Sequence, residues 1–213
     1  MQTRILVIRH GETAWNKAGI FRGRHDVPLN DDGRRQAQAL AKYLKEIPID
    51  TAYTSPLSRA AETAAIVLAD RGIVAETLAD LIDFDYGQWT GKTEIEVAAS
   101  WPHEYEAWRD QPHLTRIPDG ESLQHAFDRA FQAMEEIARR HQGQTVALFA
   151  HRVVNKLLVL GALELQLSKF PFIMQGNCSV NEFVRGPQGY IIERINDTAH
   201  LRRTGISALL HDF

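Results

Sequence analysis

Residues 5–13 read ILVIRHGET, in which four apolar residues are followed directly by Arg9, His10 and Gly11. A short apolar run of this kind predicts a buried strand. Open parallel sheets bind their ligands at the carboxyl ends of their strands, and Arg9 and His10 would lie at such an end. The stretch therefore predicts a sheet of mostly parallel strands with a candidate catalytic histidine at its edge.

A second stretch repeats this arrangement, because residues 145–152 read TVALFAHR and put His151 and Arg152 directly after another buried strand. Between the two, residues 53–59 read YTSPLSR, which predicts a strand end, a proline-marked turn and a helix start that directs Arg59 to the same edge. Two imidazoles and several guanidinium groups would converge there. Such a cluster would repel itself in a dry pocket without an anion, and phosphate is the anion that guanidinium groups match bidentately.

Strand-like and helix-like segments alternate along the chain. Strands are predicted at residues 4–9, 51–54, 145–150, 178–184 and 190–195, and helices at residues 31–46, 57–70, 121–141 and 152–161. Residues 185–189 read RGPQG, which predicts a hairpin turn between the last two strands. The fold class is therefore α/β, a three-layer sandwich with a mostly parallel central sheet and helices on both faces.

Composition is that of an ordinary soluble enzyme, with 213 residues, 44% hydrophobic residues and a formal net charge of -3. We expect one domain over residues 1–213, no nucleic acid partner and no membrane span. Met1 runs almost directly into the first strand, which leaves no room for a secretory signal. The single cysteine, Cys178, excludes an intramolecular disulfide and fits a reducing cytoplasm. A homodimer is a possible assembly.

Several segments, taken in chain order, resemble the histidine phosphatase superfamily, also called the phosphoglycerate mutase-like family. They are residues 8–16, 29–37, 54–64, 83–91, 119–122 and 150–151. A lone Arg-His-Gly would be a weak signal, whereas this ordered set covers most of the chain and is very specific. The resemblance implies the phosphoglycerate mutase-like fold and a phosphohistidine mechanism that needs neither a metal nor a cofactor.

The resemblance also implies roles for individual residues. His10 matches the nucleophile, whose neutral ring nitrogen attacks phosphorus in line and forms a phosphoenzyme that water later hydrolyses. Arg9, Arg59 and His151 match the groups that surround the transferring phosphoryl group, where fixed cations stabilise charge on its equatorial oxygens. Asn16 matches a position that donates to the same phosphate.

The proton donor is where the chain departs from the family pattern. Relatives most often have Glu at the position that Asp83 occupies in this chain. Asp is one methylene shorter, so its reach falls by roughly 1.5 Å, a displacement that can change a rate by about 10²-fold. Asp83 is the predicted general acid and, toward water, the general base. Asp85 is the alternative, and Glu12 would be a further one if Asp83 were a plain loop carboxylate.

Four residues are predicted to bind substrate at the mouth of the pocket: Arg22, Gly23, Tyr86 and Arg152. Arg22 stands where many phosphatase relatives have Gln. An extra cation there would favour a substrate with a second acidic group. The alternative is that Arg22 is a solvated surface charge. Tyr86 follows the acid position, where phosphoserine phosphatases have a histidine. Arg152 replaces a small residue but keeps the backbone amide that would approach phosphate. Residues 84–118 are predicted to form a cap-like insertion over this mouth.

The predicted function is hydrolysis of a small phosphorylated metabolite. Cofactor-dependent phosphoglycerate mutase is an alternative, although the chain is short for one and lacks the longer stretch that mutases carry between Arg59 and Asp83. A catalytically weak phospho-ligand binding module would bind phosphate without turnover. A metallophosphatase would lose activity with chelator, and the sequence lacks the clustered Asp and His ligands that such an enzyme needs.

Overall fold

A six-stranded sheet organises residues 1–202, the part of the chain that this computed structural model describes. The strands are β1 (Thr3–Arg9), β2 (Thr51–Thr54), β3 (Glu76–Thr77), β4 (Thr145–Ala150), β5 (Val180–Gly186) and β6 (Gly189–Asp197). Their order across the sheet is β3-β2-β4-β1-β5-β6, with β1 to β4 parallel and β5 and β6 antiparallel. The central pair, β1 and β4, is therefore the pair that carries the two histidine motifs.

Helices pack on both faces of the sheet. They are α1 (Ala14–Lys17), α2 (Asp31–Tyr43), α3 (Ser58–Leu68), α4 (Glu94–Ser100), α5 (Pro102–Asp110), α6 (Leu123–Arg140), α7 (Arg152–Ala162) and α8 (Ala199–Arg202). Ile5 and Val7 of β1 pack with α6 and α7, whereas Leu6 and Ile8 pack with α2 and α3. All four side chains are fully buried, and each contributes about 1.5–3 kcal/mol to folding. The continuous apolar run thus follows from a strand that is covered on both faces.

The structure confirms the predicted three-layer α/β fold and the hairpin at residues 185–189. The edge strand β3 was not predicted, because its two residues are both exposed and carry no apolar pattern. The strand predicted from residue 178 begins at Val180 instead. Cys178 has a φ of 52°, a left-handed conformation that a strand cannot accommodate, and its amide donates to the His10 carbonyl. The segment before β5 therefore contacts the loop that carries His10 before it joins the sheet.

Residues 84–118 contain a 3-10 turn (Gly87–Trp89) and the helices α4 and α5, none of which was predicted individually. Their aromatic side chains form a third core with Phe21 and with the start of α7. Trp89 is fully buried, with its ring 5.5 Å from that of Phe21 and 6.2 Å from that of Trp108. Most aromatic residues of this segment therefore pack the segment onto Phe21 and the helices α6 and α7.

Further predictions from the sequence concern membrane spans, the single cysteine and the extent of the domain. Within residues 1–202, none of the helices combines the length and the apolar character that crossing a membrane would require. Cys178 is a buried free thiol. The predicted domain extends to residue 213, and its last residues, 203–213, lie outside the described part of the chain.

Candidate active site

His10 and His151 follow adjacent parallel strands and meet at the carboxyl edge of the sheet. Arg9 at the end of β1 pairs in register with Ala150 at the end of β4, so the next residue of each strand is a histidine. The two imidazole centroids are 5.2 Å apart, and both side chains are fully buried. The structure thus brings the two predicted histidines together beneath the protein surface.

The ring of His10 is held as one tautomer. Its Nδ1 lies 2.6 Å from the Gly11 carbonyl oxygen, which can only accept, so Nδ1 carries the proton. Among residues 1–202, its Nε2 has no hydrogen-bond partner, and it keeps its lone pair. Burial, and then the nearby charges of Arg59, His151, Arg9 and Arg22, hold the pKa of His10 well below 6.5. The ring is therefore neutral, with a nucleophilic nitrogen available at ordinary pH.

His151 contacts the neighbouring strand β2 and the predicted acid. Its Nε2 lies 2.7 Å from the Ser55 hydroxyl, and its Nδ1 lies 3.6 Å from Oδ2 of Asp83. Burial, and then the cations led by Arg59, hold the pKa of His151 well below 6.5. The contact with Ser55 was not predicted, although Ser55 follows β2 directly and so lies at the same sheet edge.

Two buried guanidinium groups stand beside the imidazoles. Nη1 of Arg9 donates to the Gln175 carbonyl at 2.6 Å. In the first turn of α3, Arg59 donates to the Gly23 carbonyl at 2.8 Å and to Asp83 Oδ2 at 3.0 Å. A buried cation in the first turn of a helix opposes the helix dipole, so its carboxylate partner matters for its placement. The expectation that only a bound anion would offset the cations was incomplete, because the Asp83 carboxyl group also accepts from Arg59.

Asp83 is buried and faces His151. Its Oδ1 accepts a hydrogen bond from the Phe84 amide at 2.8 Å, and its Oδ2 faces Arg59 and His151. One carboxylate oxygen is therefore fixed by the backbone while the other points at the centre of the cluster. This is the arrangement that a proton donor to a group bound beside His10 would need.

The other two candidate acids lie elsewhere. Asp85 accepts from the Gly87 amide at 2.9 Å, and its other oxygen lies 3.5 Å from Nη1 of Arg24 on a partly exposed side. Glu12 accepts from the Asn30 side chain at 2.8 Å, beside the start of α2. The structure records no contact between either carboxylate and the imidazoles among the described residues, so the geometry favours Asp83.

Four of the five predicted substrate-binding residues, all except Asn16, line one narrow crevice. Its lining is Ile20, Phe21, Arg22, Gly23, Asp83, Tyr86, Arg152 and Val153. Arg22 is only 5% exposed, so its alternative interpretation as a solvated surface charge is wrong. Gly23 has a φ of 51°, and a Cβ there would lie 3.1 Å from the Phe84 carbonyl oxygen. A glycine is therefore required where this wall of the crevice approaches the loop that carries Asp83, which we call the acid loop.

Asn16 is buried in the loop that follows His10. Its Oδ1 accepts from the amide and the hydroxyl of Thr13, both at 2.9 Å, and so completes a capping box at α1. These bonds fix the conformation of the loop. The predicted contact of Asn16 with phosphate stays a prediction.

Two glycines let this loop pack directly on α2. A Cβ on Gly33 would lie 2.1 Å from the Glu12 carbonyl oxygen, and one on Gly11 would lie 2.5 Å from the Gly33 carbonyl oxygen. Both distances are far below van der Waals contact. The Gly11 amide donates to the Thr63 hydroxyl at 3.1 Å, which ties the loop to α3 as well. The backbone after His10 is thus clamped between two helices.

Two other features of the described residues bear on the choice of site. Within residues 1–202, no group of three or more His, Cys, Asp or Glu side chains is arranged to hold a metal ion. A larger groove, of about 610 Å³, is lined by Thr3, Phe131 and Arg185 and contains none of the predicted catalytic residues. The narrow crevice, which Asp83 lines, is therefore the candidate active site, although it is the smaller of the two.

Comparison with known proteins gives consistent matches. A family model described as "Histidine phosphatase superfamily (branch 1)" matches residues 5–198. Phosphoserine phosphatase 1 from Hydrogenobacter thermophilus is 30% identical over 198 residues, which are 93% of this chain and 94% of that protein. A metal-independent phosphoserine phosphatase from Arabidopsis thaliana is 34% identical over 208 residues, which are 95% of this chain and 85% of that protein. Among solved structures, YhfR from Bacillus stearothermophilus superposes with a TM-score of 0.90 at 31% identity and covers 93% of this chain and 99% of its own.

Proposed function

The chain belongs to branch 1 of the histidine phosphatase superfamily, and we propose that it hydrolyses small phosphomonoesters through a phosphohistidine at His10. One observation carries this proposal. The His10 ring is neutral, lies near the cations Arg9 and Arg59, and has an Nε2 atom with no hydrogen-bond partner in the part of the chain that the structure describes. A nucleophilic nitrogen in such surroundings suits a dianionic phosphoryl group and little else.

In the first half-reaction, Nε2 of His10 attacks phosphorus in line with the leaving oxygen. The nitrogen–phosphorus bond forms as the phosphorus–oxygen bond breaks, and Asp83 gives its proton to the departing alkoxide. Arg9, Arg59 and His151 surround the equatorial oxygens, and the charge on these oxygens is stabilised by donors that are already in place. Burial of all these groups strengthens each interaction, because little water screens them.

In the second half-reaction, water attacks the phosphohistidine. Asp83, now ionised, takes a proton from that water, and the nitrogen–phosphorus bond breaks to return neutral His10. The bond between Nδ1 and the Gly11 carbonyl keeps the ring in one orientation throughout both steps. Inorganic phosphate is the second product, and the carboxyl proton on Asp83 is restored for the next cycle.

The crevice supports a preference for substrates with a second acidic group. Arg22 and Arg152 line it, together with Gly23, Tyr86 and Asp83. Two relatives are named phosphoserine phosphatases, and phosphoserine carries a carboxylate close to its phosphate. We propose phosphoserine-like phosphomonoesters as the preferred class. A phosphoglycerate mutase and a weakly catalytic binding module are the alternatives that activity measurements would separate from it.

The role proposed for Arg22 predicts a selective effect of Arg22→Gln. We expect kcat/KM for phosphoserine to fall about tenfold, because a charge-assisted hydrogen bond contributes about 1.5–3 kcal/mol. The value for ethyl phosphate, which lacks a carboxylate, should fall much less. The ratio of the two values is the measurement, with Arg35→Gln as control because Arg35 is exposed and pairs with Asp32 on the surface. An unchanged ratio in Arg22→Gln would show that Arg22 does not select the carboxylate.

The proposed chemistry also predicts the response to inhibitors. Because guanidinium groups carry the charge stabilisation, we expect activity toward a panel of phosphomonoesters to be unchanged by a chelator. Vanadate, which mimics the five-coordinate transition state, should inhibit strongly. Loss of activity with chelator that a divalent ion restores would instead identify a metallophosphatase. Phosphate binding without any turnover across the panel would identify a binding module.

We also propose that residues 84–118 act as a cap for a single histidine phosphatase domain. The packing of the segment supports this role, since Tyr86 lines the crevice and its ring contacts that of Phe84, the residue after Asp83. A cytoplasmic location is proposed from the single, buried Cys178. The homodimer stays a prediction, which light scattering of the purified protein would test.

A further inference from the structure

We propose that Arg129 is a positioning residue that fixes the orientation of the Asp83 carboxylate. The inference rests on the proposed function, in which Asp83 is the proton donor. Arg129 lies in α6, outside the crevice, and touches neither histidine in the described structure. Its charge also helps to lower the pKa of His151, so Arg129→Lys, which keeps that charge, isolates the effect transmitted through the backbone of the loop that carries Asp83.

The guanidinium group of Arg129 binds five acceptors around that loop. Its Nε and Nη2 donate to the two carboxylate oxygens of Glu121 at 2.8 and 3.0 Å. Its Nη1 donates to the carbonyls of Asp80 and Ile82 at 2.6 and 2.8 Å. Its Nη2 also donates to the carbonyl of Asp83 at 3.2 Å. Three carbonyls of the segment that leads into the acid are thus held by one planar group.

One peptide plane connects Arg129 to the carboxylate. The Asp83 carbonyl and the Phe84 amide belong to the same rigid peptide unit, so fixing the carbonyl also fixes the direction of the N–H. That N–H donates to Asp83 Oδ1 at 2.8 Å. With Oδ1 held, Oδ2 is directed at Arg59, 3.0 Å away, and toward His151. A rotation of this plane would turn the carboxylate away from the centre of the site.

Glu121 holds the opposite side of the loop. Its amide donates to the Asp85 carbonyl at 2.9 Å, while its carboxylate accepts from the Asp85 amide at 3.4 Å. The Glu121 side chain is only 3% exposed and that of Arg129 11%, so this bidentate pair is shielded from water and holds its geometry better than a surface pair. Because Asp has a shorter reach than the Glu of many relatives, the placement of this backbone decides whether the carboxyl group reaches the leaving oxygen.

The test compares two substrates in the phosphorylation step. In single-turnover experiments, Arg129→Gln and Arg129→Lys should slow phosphoenzyme formation from phosphoserine by about 10- to 100-fold, since a displacement of about 1 Å can have an effect of this size. Formation from p-nitrophenyl phosphate, whose phenolate leaves without a proton, should slow by less than about threefold. The ratio of the two rates does not depend on the folded fraction of a variant, so poor folding cannot produce the expected result.

A double-mutant cycle separates positioning from a general structural effect. In an Asp83→Asn background, Arg129→Gln should cause no further selective loss with phosphoserine, because the group it positions is already disabled. Arg185→Gln is the matched control: Arg185 also pairs with a glutamate, Glu135, but in a part of the fold far from the acid loop. We expect this control to leave the ratio of rates unchanged.

Two results would overturn the proposal: equal slowing of both substrates by Arg129→Gln, or a selective loss that persists undiminished in the Asp83→Asn background. Failure of the proposed function would look different. In that case Asp83→Asn itself would show no selectivity between the two substrates. A selective Asp83→Asn combined with a non-selective Arg129→Gln would reject only the positioning role.

Discussion

Replacing His10 with Ala should lower kcat by at least about 10⁴-fold, because loss of a covalent nucleophile removes the reaction path itself. The reason is geometric. Within residues 1–202, Nε2 of His10 has no hydrogen-bond partner, and the bond from Nδ1 to the Gly11 carbonyl orients the ring. The His151 ring differs, because its Nε2 contacts the Ser55 hydroxyl and its Nδ1 faces Asp83. Steady-state kinetics with phosphoserine and with p-nitrophenyl phosphate would measure the loss, which should be similar for both substrates.

Two controls make this prediction specific. His103→Ala removes an exposed histidine of α5 and should leave kcat unchanged. His10→Ala itself should still bind inorganic phosphate, because Arg9 and Arg59 remain in place, and calorimetry would detect that binding. Retention of most activity by His10→Ala would contradict the phosphohistidine mechanism. Loss of both activity and phosphate binding would indicate that the substitution had disrupted the site as a whole.

Asp83→Asn should slow phosphoenzyme formation from phosphoserine by about 10²–10⁴-fold, the usual contribution of general acid catalysis. An alkoxide is a poor leaving group and needs the proton, whereas p-nitrophenolate departs readily without one. The aryl ester should therefore be slowed much less. The comparison belongs to single-turnover experiments, because Asp83 should also assist the attack of water in the second half-reaction.

Asp85→Asn is the natural control for this experiment. Asp85 is two residues away and of the same type, but it accepts from the Gly87 amide and lies near Arg24. It should show no selectivity between the two substrates. A selective loss in Asp85→Asn alone, or equal slowing of both substrates by Asp83→Asn, would move the acid role away from Asp83.

The sheet and its main helices could be predicted because their signals are local. The apolar runs in β1 and β4 and the periodicity of α2, α3, α6 and α7 are each complete within one segment. Residues 84–118 carry no such signal. The helices α4 and α5 are short, Pro102 separates them, and the aromatic residues of the segment find their partners in Phe21 and α7, far away in the chain. Their structure depends on tertiary packing, which periodicity does not report.

The residues of the site fall into the same two groups, those with a local sequence signal and those without one. His10 and His151 could be placed together because both follow buried strands, and parallel strands end at one edge. The role of the Ser55 hydroxyl and the clamp formed by Arg129 and Glu121 could not be predicted. Each depends on side chains that meet across many residues of chain, and neither residue type is unusual at its position. The tautomer of His10 likewise follows from the distance between its Nδ1 and the Gly11 carbonyl oxygen, which no sequence pattern predicts.

Trapping the phosphoenzyme tests the central claim most directly. Asp83→Asn supplied with p-nitrophenyl phosphate should accumulate it, because the aryl ester still phosphorylates the protein while the attack of water lacks its base. Quenching in alkali, where phosphohistidine survives, followed by mass spectrometry of the peptides should then locate the phosphate on His10. Phosphate on any other residue, or continued turnover with no phosphorylated His10 at any time, would contradict the account.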